Sequence, residues 1–337
     1  HHNLGKLFEK IDNLDNAKYH LMEAISLNPN SFESTFSLAR ILIKLATFPE
    51  AVNFFEKALI IEPGNADVFN GLAFALEKAG RLDDSIQFFR ESLALKPKQV
   101  ATLSNLGHAL LSSGRAVEAI NYFKKCLEIE PNNQFIWDRY LFSLVFSESS
   151  DRETIFKENK RWAATIEDEI SKSVDFSDFY LNPNKKIKIG YYSKEFYSHV
   201  TSFFFETLLK YHNRKFFEIH CYSDCIKPDK VTAYLQKKSD FWWNVSQLEP
   251  NQIAQKIRTD CIDIFVGTTN FLSSNRVVSA HQPAPIIVSY MNQVSSTGLS
   301  KVDYLITDDH ISPASISDKF FTERLIRLPD FICYCPP

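Results

Sequence analysis

The sequence predicts an α-solenoid followed by an α/β lobe built on a parallel sheet. Proline recurs at Pro29, Pro63, Pro97 and Pro131, a constant step of 34 residues, with small and bulky residues at fixed distances before each. Beyond Lys186 that period vanishes, and short apolar runs alternate with helix-length segments. The first pattern belongs to stacked helical hairpins and the second to βαβ units.

Five residues before each proline stands a small side chain: Ala24, Ala58, Ser92, Cys126. Eight before stands a bulky one (Leu21, Phe55, Phe89, Phe123), and twelve before another small one (Ala17, Ala51, Ser85, Ala119). Small residues let two antiparallel helices approach closely, bulky ones fill the groove of the next hairpin, and proline ends the second helix. The first helix repeats as Leu4-Gly5, Leu38-Ala39, Leu72-Ala73 and Leu106-Gly107, then Phe8, Leu42, Leu76 and Leu110. Gly80 and Gly114 fall at the turn between helices, where a left-handed residue is useful. This is the tetratricopeptide pattern, and it predicts four units over residues 1–132.

The first unit starts partway into its first helix, and the chain opens His-His-Asn without an initiator Met. More chain, with more repeats, is therefore expected upstream. Such arrays offer a concave face to an extended peptide or a partner helix, the alternative being a structural spacer. Asn70 and Asn105, near the first-helix surface, are candidates to hydrogen-bond a peptide backbone; exposed polar filler is the competing reading.

Residues 133–185 read as a partial fifth unit, with Trp137 and Leu144 at first-helix positions, then a polar break at 147–151 and a charged helix over 152–173. The turn-rich stretch 181–186 reads as a linker, so a new domain is expected over 186–337. Its expected strands are 187–192, 217–222, 262–266, 286–290 and 304–307, and its helices 202–211, 229–238, 251–260 and 275–280. A parallel sheet binds ligands at the carboxyl ends of its strands. The loops 193–202, 267–276 and 291–299 are therefore where a site is expected.

Hydrophobic residues at 45% and charged residues at 23% describe an ordinary globular chain. A net charge of -3 argues against a protein that grips nucleic-acid phosphates. The absence of any apolar run of 18 residues argues against a membrane span. The six cysteines (Cys126, Cys221, Cys225, Cys261, Cys333, Cys335) lack the paired Cys-x2-Cys steps of a zinc site and read as buried free thiols of a cytoplasmic protein. No metal and no cofactor is expected. Glycine-rich phosphate loops, nucleophile elbows and zinc-protease signatures are absent from the sequence.

The stretch Ile189-Gly-Tyr-Tyr-Ser-Lys-Glu-Phe-Tyr-Ser-His-Val-Thr-Ser202 resembles the opening of the catalytic region of O-linked N-acetylglucosamine transferases, glycosyltransferase family 41. Phe217 to Ser223, Arg276 leading to Gln282-Pro-Ala-Pro-Ile286, Ser296-Thr-Gly298 with Val302 to Asp308, and Glu323 to Pro329 with Cys333-Tyr-x-Pro336 agree in order and spacing. A repeat array ahead of that region is also the family's layout. The resemblance implies a GT-B architecture, with a Rossmann-like first lobe here, and transfer of a sugar from a UDP-sugar to Ser or Thr of proteins held by the repeats. It places His199 at the family's active-site histidine near the acceptor; a helix-capping histidine is the alternative. Thr201 and Ser202 fall at the following helix entrance, where backbone N–H groups can face an anion or simply be capped. Arg276, Thr297 and Gly298 map to donor-side loops, and Asp260 to a retained acidic position whose ordinary reading is helix-end solvation.

The chain departs from the family's pattern in two loops. Where relatives read Gly-His-Thr-x-Gly-Asn-Arg, it carries Asn270-Phe-Leu-Ser-Ser274 before Asn275-Arg276, and where they read Leu-Gly-Tyr-Pro it carries Met291-Asn-Gln-Val294. Losing Gly and Pro changes the backbone conformations open to those loops. The family's second lobe supplies most UDP-binding groups, and the sequence stops at Pro337, so this polypeptide alone is expected to be inactive. The competing expectation is a non-catalytic repeat scaffold carrying a degenerate transferase lobe.

Overall fold

The computed structural model describes residues 1–170, 174–176, 185–268, 275–290 and 295–329. Cys333, Cys335, the motif 333–336, the linker residues 181–184 and the departing loop residues 270–274 and 291–294 lie outside them. Two compact units are formed, His1–Ser149 and Ser150–Pro337.

In the first unit, helical hairpins follow the 34-residue register: α1 (His2–Lys10) with α2 (Leu14–Leu27), α3 (Phe32–Lys44) with α4 (Phe48–Ile61), α5 (Ala66–Lys78) with α6 (Leu82–Leu95), and α7 (Val100–Ser112) with α8 (Ala116–Ile129). Helix α9 (Gln134–Val145) begins a further unit and packs on α8. The bulky residues Leu21, Phe55, Phe89 and Phe123 are fully buried, as are Ala17, Ala51, Ser85 and Ala119. A Cβ on Gly71 would lie 2.4 Å from the Phe55 ring, and one on Gly107 2.8 Å from Phe123, so each of these first helices uses a glycine, at two different repeat positions, to admit a ring. At the small position before the proline, Ser92 Oγ donates to Ala66 O at 2.8 Å, tying α6 to the start of α5 within one hairpin.

The turn inside each hairpin is the same. Asp12, Ala46, Gly80 and Gly114 all take positive φ, between 56° and 82°. The residue after each donates its N–H five residues back to the carbonyls of Phe8, Leu42, Leu76 and Leu110, at 2.8–2.9 Å. This is the Schellman closure, for which only two of the four turns carry glycine.

The second unit opens with α10 (Arg152–Glu169), capped by Asp151, whose side chain accepts from Thr154 N. Among the described residues, seven parallel strands then form one sheet: β1 (Ile187–Ser193), β2 (Phe217–Ser223), β3 (Phe241–Asn244), β4 (Ile264–Thr268), β5 (Ile286–Tyr290), β6 (Tyr304–Thr307) and β7 (Arg324–Arg327). The order is β3-β2-β1-β4-β5-β6-β7. The connecting helices include α11 (Val200–Tyr211), α12 (Lys230–Lys238), α13 (Pro250–Thr259) and α14 (Asn275–Ala280). β1 and β2 are buried along their last five residues, as expected for strands covered on both faces.

Two expectations need correction. Strands β3 and β7 lie outside the expected set: both are short edge strands of four residues, Phe-Trp-Trp-Asn and Arg-Leu-Ile-Arg, with no fully buried position and too short an apolar stretch to stand out. The helix of the expected 133–185 linker segment is not a linker: α10 packs into the second unit, so that unit begins near residue 150 rather than 186. The expectation of buried thiols also fails at one described cysteine. Cys126, Cys221 and Cys225 are buried, whereas Cys261 is exposed in a left-handed turn after α13. Burial pushes the Cys126 and Cys221 thiols up to about 12, which keeps them protonated and unreactive at neutral pH.

Candidate functional site

The chain runs outward from β1 to β3, then returns to β4 on the other side of β1, so the sheet has a topological switch point between β1 and β4. Ligands of doubly wound sheets bind in the crevice at such a point. There the strand ends are pinned by a buried polar knot. Thr268 Oγ1 donates toward Tyr192 O (3.2 Å) and Ser193 Oγ (3.1 Å), while Asn275 Nδ2 donates to Thr268 Oγ1 (2.9 Å).

The loop leaving β1 is held on both sides. Ser202 Oγ lies 2.6 Å from both Glu195 O and Tyr197 O, so its hydroxyl gathers the loop onto the first turn of α11. Thr232 Oγ1 donates to Phe196 O at 2.6 Å, and Ser198 N donates to Asp229 Oδ2 at 2.8 Å, clamping the loop to the start of α12. The product of this bracing is a fixed His199.

His199 is the N-cap of α11, with extended backbone angles and its side chain accepting from Thr201 N at 3.3 Å. Ser202 N donates to His199 O at 3.0 Å. The capping alternative is thus realised, and the N–H groups of Thr201 and Ser202 are spent on His199 rather than aimed outward. Capping uses Nδ1 alone. The side chain stays one-third exposed, and Nε2 takes no part in these contacts. While Nδ1 accepts, Nε2 carries the proton of a neutral ring and is a donor. Thr201 Oγ1 at 3.1 Å can instead accept from a proton on Nδ1, which frees Nε2 to accept one; Glu195 Oε2 lies 3.7 Å away, outside hydrogen-bond range. The ring is therefore equipped to work in either direction.

The residues that the resemblance maps to donor-side loops sit differently. Arg276, on α14, is fully buried with its guanidinium carbon 3.6 Å above the Trp162 ring and Nη1 donating to Asn159 Oδ1 at 2.8 Å. Thr297 is fully buried; its N–H donates to Glu323 Oε1 at 2.6 Å, and its hydroxyl makes a very short bond to the same carboxylate. Gly298 has φ +77°, and a Cβ there would lie 2.4 Å from the Asn159 carbonyl on α10. All three residues are engaged internally, with α10 or with Glu323. Thr201 and Ser202 are buried too, which leaves His199 as the mapped lobe residue with an accessible side chain. Asp260 accepts from Tyr222 Oη (2.6 Å) and Lys256 Nζ (2.5 Å), a packing role.

Sequence reasoning missed Asn159, Trp162 and Glu323 as partners of the mapped loops. Their only signal was an asparagine and a tryptophan on the inner face of an otherwise charged helix. In the repeat unit, Asn70 and Asn105 are both half-buried, and Asn70 Oδ1 accepts from Thr102 Oγ1 at 3.1 Å. Among the described residues, no three His, Cys, Asp or Glu side chains converge to hold a metal ion, and no helix is long and apolar enough to cross a membrane.

A helical repeat solenoid followed by a Rossmann-like lobe on a seven-stranded parallel sheet is the architecture of the repeat-bearing GT-B glycosyltransferase class. The sequence model of glycosyl transferase family 41 matches residues 164–333, half of the chain, and the chain belongs to that family. Tetratricopeptide repeat models match residues 1–31 and 64–131.

The chain is 35% identical over 165 residues to a probable UDP-N-acetylglucosamine--peptide N-acetylglucosaminyltransferase SPINDLY of Arabidopsis thaliana, covering 47% of this chain and 18% of that protein. It is 30% identical over 154 residues to the UDP-N-acetylglucosamine--peptide N-acetylglucosaminyltransferase of Caenorhabditis elegans, covering 45% and 13%. The match thus spans under a fifth of these relatives' length. Among solved structures, a mutant O-GlcNAc transferase of Thermobaculum terrenum aligns with TM-score 0.71 and 27% identity, over 88% of this chain and 57% of that one.

Proposed function

We propose that the chain is the repeat and first-lobe portion of a protein glycosyltransferase that moves a sugar, N-acetylglucosamine by analogy with its named relatives, from a UDP-sugar to Ser or Thr hydroxyls. The repeats hold the acceptor polypeptide, with Asn70 and Asn105 on the presenting helices. The observation that carries this reading is His199: an imidazole braced at the carboxyl edge of β1, capped through Nδ1 and open at Nε2.

In the reaction the acceptor oxygen forms a bond to the anomeric carbon as that carbon's bond to the diphosphate oxygen breaks. UDP leaves as an anion, and the acceptor proton must be taken up. His199 Nε2 receives it when the neutral ring holds its single proton on Nδ1, donating to Thr201 Oγ1 at 3.1 Å instead of accepting from Thr201 N. Arg276, Thr297 and Gly298 serve the donor side by fixing loop backbone rather than by side-chain contact, and the transfer chemistry uses no metal.

His199→Asn tests this, because asparagine preserves the N-cap but removes the imidazole. In the complete protein, kcat for transfer should fall by about 10²–10⁴-fold, with Tm and UDP binding unchanged. A variant that keeps the wild-type rate would remove His199 from the mechanism. The non-catalytic scaffold remains the second reading, supported by the inward-turned Arg276 and Thr297; it requires that no UDP-sugar be turned over at all.

A further inference from the structure

A cavity of about 290 Å³ opens between α11 and α12, directly beside His199. Its walls include His199, Ser202, Phe203, Glu206, Val231 and Tyr234. Both helices begin at the carboxyl ends of strands, so the cavity shares the edge of the sheet on which the proposed chemistry occurs.

The volume is at the bottom of the range for a whole small-molecule site, roughly 300–1,000 Å³; it suits one side chain. The walls are mostly apolar, and the hydroxyls on them are turned to other partners. Ser202 Oγ is turned into the loop, and Tyr234 Oη hydrogen-bonds Glu206. Around the mouth, Val200 and Phe203 stand 59% and 62% exposed on the first turn of α11, an unusual display of large apolar groups beside a site. Glu206 offsets Lys230 on the lining, so the cavity has no excess positive charge with which to hold a diphosphate. An uncharged, apolar group of a polypeptide is the complementary occupant.

We infer that this cavity is a subsite for one apolar side chain of the acceptor polypeptide, next in sequence to the hydroxyl-bearing residue presented at His199. The inference rests on the transfer reading for its orientation, but its binding prediction stands apart from turnover. The subsite would select acceptor segments in which Ser or Thr neighbours a Leu- or Phe-sized residue, and disfavour those flanked by Asp or Glu, which would meet Glu206.

The test is binding of fluorescent peptides, identical except for Leu or Ala beside a single Ser, to the complete protein. The Leu peptide should bind at least about tenfold more tightly, the discrimination a few buried methylenes give. Phe203→Glu, at an exposed position, and Val231→Trp, which fills the cavity, should each abolish the difference. Equal affinity for the two peptides in the wild type, or a preference that survives both substitutions, would overturn the subsite. A Leu preference without sugar transfer would sink the transferase reading and leave the subsite standing; transfer with no preference would do the reverse.

Discussion

Ser85 shows how repetition exposes a single misfit. Its Oγ is fully buried with no hydrogen-bond partner, at the position where the other three repeats carry Ala17, Ala51 and Ala119. A buried hydroxyl without a partner costs about 1–3 kcal/mol. Ser85→Ala should therefore stabilise the repeat unit by about 1 kcal/mol, read as a rise in the denaturant midpoint with unchanged slope. A fall in the midpoint would mean the hydroxyl has a partner. His199 illustrates the opposite economy, since one ring serves both a helix cap and an exposed nitrogen. The sequence made its position legible, through the Ser-His-Val-Thr-Ser run, but not which of its two readings holds. The geometry shows that capping and accessibility coexist, because they use different nitrogens.

Among the elements, α10 holds the most surprising place. Trp162 lies under the Arg276 guanidinium, Asn159 meets Arg276 and the Gly298 backbone, and Glu167 Oε1 accepts from Ser300 N and Oγ at 2.7 and 2.9 Å. One helix thereby fixes both α14 and the loop between β5 and β6. Trp162→Ala should cost about 3–5 kcal/mol. Gly298→Ala should cost at least the about 1–2 kcal/mol of a left-handed alanine, before its clash with Asn159 is added. Both losses are measurable by chemical denaturation; either variant at wild-type stability would contradict the clamp. The sequence hid this helix because its charged text reads as solvated, and its two inward residues are too few to announce a core.

At the first helices of the repeats, Glu77 on α5 has a nearly buried carboxylate that meets His108 at 3.0 Å and Lys78 at 2.9 Å. Burial opposes its charge, yet the bonds from His108 and Lys78 prevail and hold it below the ordinary 4.5. On acidification the unfolded carboxyl takes its proton first, so the stabilisation is complete above about pH 4.5 and is lost as pH falls through the folded value. Glu77→Gln should melt below wild type at neutral pH, and the gap in Tm should close in strong acid. A gap independent of pH would show that the charge is not what matters.

For the molecule as a whole, the two kinds of periodicity made the fold class readable: proline and small residues every 34 positions in one unit, apolar runs between helices in the other. What escaped was set by tertiary context. Edge strands β3 and β7 are only four residues long and have no fully buried position, so their apolar stretches are too short to announce a strand. Likewise, Arg276 and Thr297 matched the family pattern by type, while their burial against Trp162 and Glu323 depends on elements far away in sequence. Residue types can thus match a family pattern while their packing partners stay hidden.

The most direct test of the central claim is mass spectrometry of Ser- and Thr-containing acceptor proteins incubated with the complete protein and UDP-N-acetylglucosamine, beside the His199→Asn variant. The account predicts an N-acetylhexosamine-sized mass increment on hydroxyl residues with the wild type and a drastic loss of it with the variant. Folded wild-type protein that modifies no acceptor with any UDP-sugar would contradict the account and leave a repeat scaffold in its place.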